Sequence, residues 1–230
     1  HPGAMGAMAV TTGPALITPA RRARLWVEFV ALYIAVPVAI AVALPPRQMF
    51  PALFVVTLAG LALLWATGGF DWRSLVRGWG RVPWAEAAAI GLAVLAAGLA
   101  LLTLLRPEAR FLILRERPEF LLVIWALYPL LSALPQELIF RPLFFHRYGP
   151  LIPHGPSALV LNAAVFALAH LMYWSPVVLA MTFVGGWLFA RAYVTRGFPA
   201  AWVLHAVAGN AIFAVGLGTW FYSGNVVRPF

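Results

Sequence analysis

A chain of 230 residues that is 63% hydrophobic and only 10% charged has more apolar surface than a soluble domain of its size can bury. Its net charge of +9 comes from sixteen arginines with no lysine, set mainly at the ends of apolar runs. In that position they mark topology and contact headgroups, so nucleic acid is not an expected partner. With no cysteine, disulfides, thiolate nucleophiles and zinc–thiolate sites are excluded. The composition predicts an all-α, polytopic transmembrane helical bundle.

The opening residues 1–8, beginning His1-Pro2-Gly3-Ala4-Met5-Gly6, read as a cloning remnant without fixed structure, and 9–230 as one membrane domain. Arg21, Arg22 and Arg24 lead into a full-length span without a small-residue cleavage site, so no cleavable signal is expected. The first span is predicted over about 25–44 and the second over 50–67. Between the second and third spans, Trp72, Trp79 and Trp84 alternate with Arg73, Arg77 and Arg81, a pattern suited to the interface plane. The third span is predicted over 85–105. The connector 106–119 is mixed, and its Phe111–Leu114 patch is too short to cross.

Further spans are predicted over about 120–148, 157–174, 177–195 and 199–222. That makes seven, or eight if the connector dips into the membrane. With the amino terminus cytoplasmic, ten arginines fall on cytoplasmic segments and six on the other side, as the positive-inside rule favours. The lysine-free, alanine- and arginine-rich composition suggests a bacterial inner membrane. Gly185-Gly186 is expected to let another helix approach closely.

Strongly polar residues inside the spans are few: Gln136, Glu137 and Arg141 on the fourth, Asn162 and His170 on the fifth, His205 and Asn210 on the seventh. A charge near the bilayer centre costs about 2.5–3.5 kcal/mol on insertion scales, so Glu137 calls for a role and a partner. Arg141, four residues on, shares its helix face. The structural alternative is a buried ion pair and interhelical hydrogen-bond glue. The full set on three helices favours a shared cavity in which a carboxylate and a histidine polarise water while a histidine and an amide stabilise an oxyanion.

The order of these residues resembles the CAAX protease and bacteriocin-processing (CPBP) family. These are membrane-embedded glutamic proteases that include the Ras-converting CAAX endopeptidase. Their pattern is Glu-Glu-x-x-x-Arg, then Phe-x-x-x-His, then His-x-x-x-Asn, on successive apolar spans. Here the first is similar to Gln136-Glu137-Leu138-Ile139-Phe140-Arg141, and the second is matched by Phe166 and His170. The third resembles His205 to Asn210 with one residue extra. The likeness covers about 120–222.

The resemblance implies an intramembrane endopeptidase that cleaves a membrane-associated protein or peptide with activated water. It implies His170 as water-activating partner and His205 with Asn210 as oxyanion donors. Gln136 stands where the family's first glutamate belongs, so Glu137 is expected to act as general base, with Arg141 as orienting charge. Gln136 and Asn162 are then left to position substrate or water. The extra residue turns Asn210 about 140° from His205 on an ideal helix, and a π-bulge near Gly209 is expected to realign them. No metal or cofactor is expected. One carboxylate and two histidines could alternatively hold zinc. The competing functions are a catalytically silent relative acting as scaffold or peptide binder, and a transporter or proton relay.

Overall fold

The computed structural model describes residues 17–230; the expected remnant at 1–8 lies outside the described residues. Among the described residues, seven helices are long and apolar enough to cross a membrane: Pro19–Ala43, Pro46–Trp65, Trp84–Leu105, Pro118–Arg147, Pro156–Tyr173, Pro176–Arg196 and Phe198–Val215. They are called the first to seventh spans. The connector forms a turn at Pro107–Ala109 and a five-residue helix at Leu112–Glu116, too short for an eighth crossing. The seventh span stops at Val215, earlier than expected, because Gly216 adopts the left-handed conformation that ends helices (φ 107°).

Most span starts carry proline, whose missing N–H is unneeded in a first turn. Prolines deeper in a helix have another consequence. The first span widens to a π turn at Ala31–Ala35 just before Pro37, and the fourth does so at Pro129–Ala133 and at Ile139–Arg147 around Pro142. A mid-helix proline removes one backbone bond and pushes on the carbonyl four residues back; a wider turn accommodates both.

The first span packs on the fourth through Phe29, Tyr33, Phe140, Phe144 and Tyr148, all buried. Within this cluster the Tyr33 hydroxyl donates to the Ile139 carbonyl at 2.6 Å. The cluster is capped at the end of the fourth span by Arg147. Its guanidinium forks onto Glu28 at 2.7 and 2.9 Å and also donates to the Leu63 carbonyl and the Thr67 hydroxyl, tying the first, second and fourth spans together. Glu86 and Asp71 likewise pair with arginines, Arg191 at 2.6 Å and Arg77 at 3.1 Å.

The fifth and sixth spans form a tight hairpin. A Cβ on Gly186 would come within 3.2 Å of the Ala163 backbone and 2.8 Å of the Phe166 ring, so this glycine permits the close approach expected of it. Leucine and valine side chains such as Val55, Leu58, Leu92, Leu104 and Leu122 face outward, as a bilayer requires.

Candidate active site

Some two-thirds of the way along the fourth span, Glu137 and Arg141 point into the bundle and are both fully buried. The carboxylate accepts from Arg141 Nε at 2.8 Å and from its terminal nitrogen at 3.2 Å. Its Oε1 also lies 2.7 Å from His205 Nδ1 on the seventh span. A carboxylate can only accept, so Nδ1 carries the hydrogen and Nε2 is the lone-pair nitrogen of the neutral ring. The Tyr128 hydroxyl lies 3.1 Å from that Nε2. Arg141, Glu137, His205 and Tyr128 thus form one continuous chain.

Arg141 is satisfied on its other side by the Phe140 carbonyl and by Asn162 Oδ1, while Asn162 Nδ2 donates to the Phe140 carbonyl at 2.7 Å. Asn162 is therefore a fully buried brace for the arginine and not the substrate- or water-positioning group expected of it. The guanidinium also lies over the Phe166 ring, 5.1 Å from its centroid. Phe166 separates the arginine from both histidines, with His170 at 4.8 Å and His205 at 5.6 Å between ring centroids. Phe189 of the sixth span stacks on His205 at 4.8 Å.

His170 lies just past the regular part of the fifth span. Its Nδ1 is 2.7 Å from the Phe166 carbonyl, again an acceptor-only partner, so its Nε2 is the free lone pair. Both histidines line one cavity of roughly 1340 Å³, together with Tyr128, Ser132, Gln136 and Tyr173. Gln136 Nε2 donates to Ser132 Oγ at 3.0 Å, while its Oε1 is buried with no hydrogen-bond partner among the described residues. The cavity extends past apolar side chains such as Val123, Leu127 and Val184 to Arg47, Leu112 and Ser223. Its mouth is thus on the face opposite the start of the first span.

Two expectations change here. Glu137 does not line the cavity: both oxygens are engaged, none of its surface is exposed, and His205 Nδ1 stands between it and the cavity. Asn210 is also not beside His205. The helix Phe198–Val215 is regular through Gly209, without the expected π-bulge, so the extra residue turns Asn210 away. Its amide donates to the Trp125 carbonyl at 3.2 Å, and Trp125 Nε1 donates back to the Asn210 carbonyl at 3.0 Å. This pair lines a shallow recess against the third span.

The zinc alternative meets a similar obstacle, since no group of three histidine or acidic side chains is placed to hold a metal ion among the described residues. Tyr128 and Ser132 were not anticipated. A tyrosine about 15 Å into a span, away from the interfacial belts, is the sequence signal that marks Tyr128.

Residues 118–211 match the family of type II CAAX prenyl endopeptidase Rce1-like proteins. The match begins with the fourth span and runs to just past Asn210. The matched stretch, under half of the chain, is similar to the CAAX protease family. No curated protein and no solved structure matches the chain. That likeness supports a CAAX-type intramembrane protease at the level of the family, and the seven apolar spans among the described residues fit a lipid bilayer. Against the family pattern, the site retains the arginine-paired glutamate and both histidines; it departs at Gln136 and in the outward turn of Asn210.

Proposed function

We propose that the protein is an intramembrane endopeptidase that hydrolyses a peptide bond of a membrane-associated protein or peptide with histidine-activated water. The observation that carries this reading is the Glu137–His205 contact behind a cavity that His170 also lines. A carboxylate on Nδ1 fixes the tautomer of an imidazole and stabilises the imidazolium formed when Nε2 takes a proton. Water donating one hydrogen to each Nε2, of His205 and of His170, keeps a lone pair free for attack.

In the first step, the water oxygen bonds to the carbonyl carbon while its proton passes to His205 Nε2 and the carbonyl π pair moves to oxygen. In the second, the carbonyl re-forms, the C–N bond breaks, and the proton on His205 goes to the leaving nitrogen. Arg141 holds Glu137 in place, and Gln136 Oε1 offers an acceptor to water or to a substrate N–H. The apolar length of the cavity suits an extended, membrane-anchored segment. With the amino terminus cytoplasmic in a bacterial inner membrane, such a substrate arrives from the external face.

The silent-relative reading is favoured by one observation: the side chain at the first motif position is an amide, and no carboxylate lines the cavity among the described residues. Proteoliposomes carrying the wild type, His170→Ala or His205→Gln, supplied with internally quenched membrane-anchored peptides, separate the two. The enzyme reading expects cleavage by the wild type and a loss of about 10²–10⁴-fold in either variant. Peptide binding without cleavage in all three would establish the silent relative.

A further inference from the structure

We infer that Tyr128 is the oxyanion donor of this site, the group that holds the substrate carbonyl oxygen as the tetrahedral intermediate forms. The inference rests on the protease reading above. The Tyr128 hydroxyl caps His205 Nε2 at 3.1 Å, so it occupies the position the attacking water must take. When water displaces it, the hydroxyl needs a new acceptor in the same cavity. The developing oxyanion is the strongest acceptor that the reaction supplies. The tyrosine keeps its proton throughout, and its hydrogen bond moves from Nε2 to the substrate oxygen.

Two further features support this role. The ring is fixed in advance: it lies edge-on to Phe213 at 5.7 Å and to His205 at 6.1 Å, against Gly209. A Cβ at position 209 would overlap the ring, so a glycine is required there for Tyr128 to reach His205. The amide given this role by family resemblance, Asn210, is committed to Trp125 outside the cavity. Gln136 Nε2 is already committed to Ser132.

The test compares wild type, Tyr128→Phe and His205→Gln in proteoliposomes. The probes are the best-cleaved quenched peptide and the aldehyde and alcohol made from its sequence; the hydrated aldehyde mimics the tetrahedral intermediate. Phenylalanine keeps the ring over Gly209, so a merely structural role leaves kcat within about threefold. The donor role predicts a fall in kcat of about 10²–10³-fold with KM little changed. It also predicts aldehyde binding weakened by about 10²-fold with alcohol binding unaltered.

Equal weakening of aldehyde and alcohol, or an unchanged kcat, overturns the role of Tyr128. If His205→Gln still abolishes cleavage in that case, the protease mechanism stands without it. Cleavage that survives His205→Gln overturns the underlying mechanism instead. Should Tyr128→Phe misfold, 3-fluorotyrosine at position 128 keeps the packing and strengthens the donor. It is expected to tighten the aldehyde relative to the alcohol, and failure to do so counts against the inference.

Discussion

Replacing Glu137 with glutamine separates the stability of this site from its chemistry. The side chain keeps its shape, but the carboxylate now makes contacts of 2.8 and 3.2 Å to Arg141 and 2.7 Å to His205, all as acceptor. The amide has one acceptor oxygen, so its NH₂ must face either a guanidinium N–H or the Nδ1–H. Arg141 is left as a fully buried cation with the Phe140 carbonyl and the Asn162 amide oxygen. Stranding a buried charge in this way costs about 3–5 kcal/mol. For a chain of this size that is a fall in Tm of about 10 °C. The imidazolium also loses its counter-charge, and kcat is expected to fall by about 10³–10⁴-fold.

Adding Arg141→Leu to Glu137→Gln removes the stranded cation. Melting in detergent should then recover most of the loss, while cleavage in proteoliposomes stays low. Cleavage by Glu137→Gln within about tenfold of wild type, in folded protein, would refute the idea that Glu137 drives His205. A double variant that regained activity along with stability would show the pair to be structural only.

Three other substitutions test separate parts of the structure. Asn210→Ala removes the side-chain bond to the Trp125 carbonyl, keeps the Trp125 Nε1 bond to the backbone carbonyl of residue 210, and should cost about 0.5–1.5 kcal/mol in melting, with kcat within about threefold of wild type. A loss of 100-fold would mean that the asparagine turns into the cavity during the reaction. Gln136→Glu places a carboxylate on the cavity wall beside Ser132, and cleavage of the same peptide should rise at least tenfold if water activation limits the rate. Arg147→Ala removes the fork onto Glu28, which keeps only Arg24 at 3.4 Å and the Tyr148 hydroxyl, and should lower stability by about 2–3 kcal/mol, read by melting, while kcat per folded molecule is unchanged.

The spans were legible in the sequence because apolar length alone decides them. The early stop at Val215 turned on a single left-handed glycine within an apolar run. Glu137, Arg141, His170 and His205 were legible as a set, since buried polar groups in a bilayer must find one another. Their roles were not, because which side of the helix faces the cavity depends on helical phase. Gln136 and Glu137 are adjacent, and only the packing of the fourth span sends one to the cavity and the other behind it. The π turn at 129–133 slows the rotation of the helix, so Tyr128, Ser132 and Gln136 share a wall more closely than an α-helical template predicts. Asn210 shows the converse: the spacing was visible, and the regular ladder through Gly209 left it uncorrected.

The two π stretches of the fourth span also make it a rod with two slip joints. Each holds one residue more than an α-helix needs for the same turns, so loss of a single residue within it converts wide turns to ordinary ones without breaking the rod. A one-residue deletion between Leu143 and His146 would tighten the wide turns there and leave Arg147 close to its present phase, still facing Glu28. A deletion within 129–133 would likewise be absorbed by the π turn, keeping Tyr128 on the side of His205. Chain length is therefore an adjustable quantity in this helix, with anchoring set at one joint and the cavity wall at the other.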